Sequence, residues 1–207
     1  GWWVIDQSAR ACVSFNAERE PDDQLAVSIN ISPIQFSQPN FVTHFNFLIK
    51  NAGALLENVI VEITENCLMD ESQDVAQLMH DLRKMGIRLD LDDFGTGYSS
   101  LSFLRRFPLD LLKIDQSFVK DLGQSAQSRE IVSAIMALAR GLGLGVTAEG
   151  VETKAQLDAL IQMKCDWAQG YYMNRPMPYD QALALATDDE VIELLTINKA
   201  DALITLE

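Results

Sequence analysis

Apolar positions along the chain follow two rhythms that alternate from one end to the other. Six short runs, apolar throughout or alternating with polar residues, read as buried strands: Leu25–Ile31, Val59–Ile63, Ile87–Asp92, Leu111–Ile114, Gly145–Ala148 and Ala168–Met173. Between them, apolar residues at helical spacing predict helices from Trp2 to about Arg19, Pro39 to about Asn51, Asp70 or Ser72 to Gly86, Ser99–Arg106, Ser128 to about Leu142, Thr153–Lys164 and Gln181–Ala186. Pro21-Asp22-Asp23 reads as a turn, and Gly53, Gly86 and Gly143 stop the helices before them. The G-x-G-x-G at 141–145 follows a helix rather than a strand, so helix capping explains it better than a dinucleotide loop does.

Unbroken alternation of strand and helix predicts the α/β class, a parallel sheet with helices outside, either doubly wound or a barrel. A closed (β/α) barrel needs eight strands and about 250 residues. Six strands in 207 residues leave it two short. Gly1-Trp2-Trp3-Val4 enters a helical pattern directly and without an initiating methionine, so the chain is expected to be a piece of something longer. No linker divides residues 1–187. Residues 188–207 mix acidic and apolar positions and form an extension of unclear role.

Charge narrows the function. A net charge of −14 argues against broad nucleic-acid binding, which needs a basic face, but leaves room for a small phosphorylated ligand held through metal ions. Cys12, Cys67 and Cys165 are odd in number, far apart and without C-x-x-C spacing. They suggest neither zinc nor a disulfide framework and fit a reducing cytoplasm. His44 and His80 lie in helical segments rather than at strand ends, so catalysis is not assigned to them. No apolar run reaches the roughly 18 residues of a membrane span, and no membrane contact is expected of this segment.

The chemistry centres on Ile87–Leu101, I-R-L-D-L-D-D-F-G-T-G-Y-S-S-L. A buried strand ends there in two adjacent acids, Asp92 and Asp93, followed by a loop containing Gly95 and Gly97. Neighbouring carboxylates repel, and hard divalent cations such as Mg²⁺, Mn²⁺ or Ca²⁺ are the simplest remedy. A solvated turn is the plain alternative. A kinase D-F-G is excluded by the lack of an upstream H-R-D loop and Gly-rich loop. Other strands carry polar residues at the same place: Asn30, Glu62, Lys113 with Asp115, Glu149 and Gln169. In a barrel all C-terminal strand ends meet on one face. Carboxylates and an amide oxygen there make a cage for two hard ions, and a lysine beside them can orient hydroxide; metal-assisted phosphodiester hydrolysis is the reaction class the pattern suggests, with dinuclear metal hydrolysis of other bonds as the alternative. Glu65 and Glu152 are equally at home as helix caps.

The segments S-I-N-I-S (28–32), V-E-I-T-E (61–65), L-D-D-F-G-T-G-Y-S-S-L (91–101), L-K-I-D (112–115), A-E-G-V-E-T (148–153) and A-Q-G-Y (168–171) resemble the EAL-domain family in order and spacing. The resemblance implies a TIM-like barrel, here with about six of its eight strands, that hydrolyses cyclic di-GMP to linear pGpG with Mg²⁺ or Mn²⁺ in a two-metal site. It implies Asn30, Glu62, Asp92 and Asp93 as metal ligands, Lys113 and Glu149 acting on the catalytic water, and Gln169 completing the site. Asp115 and Glu152 stand as further candidates. It also implies that Glu65 anchors the loop from Phe94 to Ser100, which the family links to metal binding and dimerisation, so a homodimer is expected. The chain departs from the family in having no E-A-L. That motif supplies a metal ligand, so these residues alone are expected to be inactive although every later motif residue is present. A degenerate cyclic di-GMP receptor or protein-interaction module is the alternative. Sensory or cyclase domains can neighbour such a segment in its parent chain.

Overall fold

The computed structural model describes residues 1–68, 75–95 and 104–188, and the backbone of 203–205. The six expected strands are present: β1 (Ala26–Asn30), β2 (Val59–Thr64), β3 (Arg88–Phe94), β4 (Leu111–Ile114), β5 (Gly145–Ala148) and β6 (Trp167–Ala168). Each pairs in parallel with its sequence neighbour. A doubly wound sheet reverses its strand order at a switch point. This order runs from β1 to β6 without reversal, the winding of an incomplete TIM-like barrel. A seventh strand, β7 (Leu203–Thr205), pairs in parallel with the outer edge of β1, in a stretch where the sequence pattern showed no element.

The helices are α1 (Trp2–Phe15), α2 (Pro33–Phe36), α3 (Phe41–Ala52), α4 (Glu65–Leu68), α5 (Val75–Lys84), α6 (Gln116–Val119), α7 (Ala126–Leu142), α8 (Lys154–Gln162) and α9 (Tyr179–Ala186). They pack on one side of the sheet, α1 against β1, α5 against β3, and α7 against β4 and β5. Side chains alternate along a strand. On β3, Leu89 and Leu91 therefore join Met79 and Leu82 of α5 in the core, while Asp90 and Asp92 face the other way. Arg19 donates to the carbonyl of Ala186 at 3.0 Å and ties the end of α9 to the turn after α1. The three cysteines are free and buried. Among the described residues, no helix is long and apolar enough to cross a membrane.

Two expectations shift. The last strand stops at Ala168 instead of running to Met173, because the chain turns at Gly170 and hooks under the preceding strand end: Val151 N–H donates to Gln169 O (3.0 Å) and Tyr172 N–H to Val151 O (2.9 Å). Any Cβ at Gly170 would sit 2.3 Å from the Val151 backbone, so the hook admits only glycine. Helix 39–51 begins at Phe41, after the separate turn α2, which a Ser32–Gln35 capping box starts. The proposed caps Asp70 and Ser72, and most of the 99–106 helix, lie outside the described residues.

At the opposite end of the sheet from the acidic residues, the residue before a strand satisfies the neighbouring strand. Asp110, which precedes β4, accepts the Leu89 N–H of β3 at 2.9 Å. Asp166, before β6, accepts the Val146 N–H of β5 at 3.0 Å. Asp110 also pairs with Arg83 on α5. Orphaning the strand N–H should dominate over losing the half-exposed ion pair. Asp110→Ala is expected to destabilise by about 1–3 kcal/mol, and Arg83→Ala by less than about 1 kcal/mol. Equal shifts in urea unfolding would assign the effect to the ion pair.

Candidate active site

Lys113 lies in the middle of β4, 3% exposed, with its ammonium on the inner face of the sheet. It donates to Glu62 Oε2 of β2 at 2.9 Å. It also lies 2.7 Å from Glu149 Oε1, just beyond β5, and 3.3 Å from Asp92 Oδ1 of β3. The three N–H donors of an ammonium are thus matched by three carboxylates from separate strands. Burial alone would lower the Lys113 pKa, but Glu62, Glu149 and Asp92 outweigh it and hold the pKa well above the ordinary lysine value. Lys113 is a fixed positive charge. Burial pushes the Glu149 carboxyl up, to about 7, against the pull of Lys113 and with help from Asp92 and Glu62.

Strict strand alternation would send Asp92 and Asp93 to opposite faces. The structure instead brings them together. Asp93 adopts a left-handed backbone (φ 55°), its N–H donates to Asp92 Oδ1 at 3.0 Å, and the β3–β4 register shifts between Leu91 and Phe94. One carboxylate oxygen each of Asp92, Asp93 and Glu149 then lies within 4.8 Å of the others. Burial raises the Asp93 pKa, and Asp92 and Asp115 add to the rise. Gly150 (φ +68°) turns the chain directly after Glu149, where a Cβ would meet that of Gln116 at 2.4 Å.

The remaining candidates divide. Asn30 ends β1 opposite Glu62 in register, exposed above the cage. Gln169 follows β6, half-buried. Asp115 caps α6 by accepting the Ser117 N–H at 3.0 Å. Glu152 is exposed at the head of α8 and lies outside the carboxylate group. Glu65 is 4% exposed at the start of α4. Residues 96–100 of the loop it was expected to anchor lie outside the described residues.

Asp90 was missed. It is 2% exposed, on the same face of β3 as Asp92 and opposite Glu62 in register. The signal was available in R-L-D-L-D, where Arg88, Asp90 and Asp92 share one face, but Asp90 lies before the strand end. Burial pushes its carboxyl up to about 7, with Glu62 and Asp110 adding and Arg88 and Lys113 opposing.

Glu62 Oε1 is buried with no hydrogen-bond partner among the described residues. An orphaned carboxylate oxygen beside converging acids suits a hard divalent cation, so the residues present fit a metal.

A profile of the EAL domain matches residues 1–176. The chain belongs to the EAL domain family. It is 38% identical over 184 residues to the bifunctional diguanylate cyclase/cyclic di-GMP phosphodiesterase MucR of Pseudomonas aeruginosa, covering 89% of this chain and 27% of MucR. The structure of the PaMucR phosphodiesterase in complex with c-di-GMP superposes with a TM-score of 0.82 at 35% identity, over 88% of this chain and 73% of that one. A manganese/c-di-GMP complex of BlrP1 from Klebsiella pneumoniae superposes with a TM-score of 0.71 at 28% identity, over 84% and 44% of the two chains. This EAL chain spans about a quarter of the length of the curated relatives it matches.

The buried acids set a pH dependence. Folding raises Asp90 from 3.8 and Glu149 from 4.5 to about 7. The fold therefore favours their protonated forms. That stability is complete below the ordinary carboxylate values and is lost as pH rises towards 7. The metal-free chain should melt at lower temperature at pH 8 than at pH 5. Asp90→Asn, neutral throughout, should flatten the profile and exceed the parent at pH 8 by up to about 4 kcal/mol. An unchanged slope in the variant would remove Asp90 from the account.

Proposed function

We propose that this EAL domain takes part in metal-dependent hydrolysis of cyclic di-GMP to linear pGpG. The observation that carries the reading is the convergence of Glu62, Asp92, Asp93 and Glu149 on one end of the sheet, around a single buried lysine. The activities of its relatives, the cyclic di-GMP phosphodiesterases, supply the substrate. Formation of pGpG adds water across one phosphodiester: a P–O bond forms to the water oxygen, the bond to the ribose 3′ oxygen breaks, and that oxygen leaves with a proton. Asn30, Glu62, Asp92 and Asp93 would hold Mg²⁺ or Mn²⁺. Bound there, the ions would lower the pKa of water and neutralise charge developing on the phosphoryl oxygens.

The chain's own residues do the rest. Lys113, permanently charged, orients the attacking oxygen and offsets negative charge. Glu149, 2.7 Å from Lys113, can accept the water's proton. Gln169 positions ligand or water from the neighbouring strand end. Free buried thiols accord with a reducing cytoplasm.

Residues 1–187 form the phosphodiesterase unit in this reading, and a glutamate from an E-A-L segment completes the cage. The 207 residues alone should give little pGpG in Mg²⁺ or Mn²⁺, and a segment supplying two strands and that glutamate should restore turnover. In the completed domain, Asp92→Asn should abolish turnover while weakening nucleotide binding much less. Glu65→Ala should cost about 10–100-fold, as losses behind metal ligands do. Cyclic di-GMP binding without pGpG, even with the segment supplied, favours the receptor. Turnover by Asp92→Asn equal to the parent's would end its assignment as a ligand.

A further inference from the structure

We infer that Gly170 is a positioning residue for this site: it lets the backbone after β6 close onto the backbone after β5, and that clasp holds Gln169 in a fixed place relative to Glu149. The inference rests on the phosphodiesterase reading above, which gives both side chains their tasks.

β6 is only two residues long and, among the described residues, stands at the edge of the sheet, paired with Thr147 and Ala148 of β5. So short a ladder does not by itself fix the residue that follows it. Gln169 is held instead by both of its main-chain groups. Its N–H donates to Ala148 O at 2.9 Å, and its carbonyl accepts from Val151 N–H at 3.0 Å. These two partners bracket Glu149 and Gly150, so the pair of bonds grips the turn that carries Glu149. Glu149 is tied on its other side as well, its N–H donating to Ile114 O at 3.1 Å, next to Lys113 on β4. One run of backbone bonds thus links the strand of Lys113, Glu149 and Gln169. Gly170 closes it. Tyr172 N–H reaches Val151 O at 2.9 Å because the chain crosses Val151 at residue 170, where a Cβ would lie 2.3 Å from both the nitrogen and the oxygen of Val151. The obstacle is main chain, and Val151 is fully buried, so neither side can yield without moving Gln169 or Glu149. A misplacement of about 1 Å in a catalytic arrangement is enough to cost about 100-fold in rate.

The test has a structural arm and a kinetic arm. In the full 207-residue chain, Gly170→Ala should lower the amide-exchange protection of Val151 and Tyr172 by about tenfold, the worth of a lost hydrogen bond. Leu89 and Val146, bonded at the other end of the sheet, should keep theirs. In the domain completed with the E-A-L segment, Gly170→Ala should lower kcat by about 100-fold. Val132→Ala, a truncation in the core on α7, sets the change that lost stability alone produces. The deciding measurement is a cycle with Gln169→Ala. In the Gly170→Ala background, removing the Gln169 side chain should cost several-fold less kcat than in the parent, because the two act as a unit. Val151→Gly frees the other jaw of the clasp without crowding it. It gives a second reading should Gly170→Ala not fold, with a smaller loss and the same lack of additivity. Unchanged protection of Val151 and Tyr172, a kcat loss no larger than that of Val132→Ala, or fully additive losses with Gln169→Ala overturns the positioning role. In each of those cases pGpG formation by the completed parent leaves the phosphodiesterase reading standing. No pGpG from the completed parent ends both.

Discussion

A buried ammonium shared by three carboxylates dominates the polar end of this sheet. Removing one member of such a group strands the charge of the others, which is far more damaging than the net worth of the pairings. The strands that supply it are therefore locked in register. A one-residue slip of β4 would turn Lys113 towards the helices and put Leu112 or Ile114 among the acids. The correct register satisfies both faces at once: Leu112 and Ile114 are fully buried under the helices while Lys113 meets Glu62, Asp92 and Glu149. Packing on one face and charge pairing on the other thus specify the same arrangement.

The elements with a clear period are legible in the sequence. All six strands and the long helices α3, α7 and α8 lie within a few residues of their expected places. What escaped has a common physical reason. The single-turn helices α2 and α4 are too short to show a period. The early end of β6 depends on a contact between Gly170 and Val151, residues in different strand-end turns. The seventh strand joins segments that are almost the whole chain apart. Tertiary contact decided each of these.

The site divides along the same line. Strand-end position was enough to nominate Glu62, Asp92, Lys113 and Glu149, because a parallel sheet gathers its C-terminal ends. It could not separate the acids that gather around Lys113 from those that cap helices or face solvent. Asp115 is spent on Ser117, and Glu152 is turned to solvent. Nor could it foresee that Asp93 would join Asp92. Adjacent strand residues diverge unless the backbone departs from extended geometry, and here it does so at φ 55°. Asp90 was passed over for the opposite reason. It obeys alternation but lies one layer deeper than the strand end, where an apolar side chain is the ordinary occupant.

That deeper acid bears on what the site can do. Glu62, Asp92, Asp93 and Glu149 stand in one small volume, with Asp90 behind Glu62. Lys113 is the cation they share by direct contact, and Arg88 opposes the rise at Asp90 from the strand start. A cluster so short of positive charge resolves itself in two ways, by taking up protons or by taking up cations. Without metal the upward shifts at Asp90, Asp93 and Glu149 are the first of these. Divalent ions would reverse them, since an added cation favours every neighbouring carboxylate in its charged form. Proton uptake and metal uptake therefore oppose one another in this cage. The phosphodiesterase reading then requires the balance to tip towards metal near neutral pH, where Asp90 and Glu149 are closest to losing their protons.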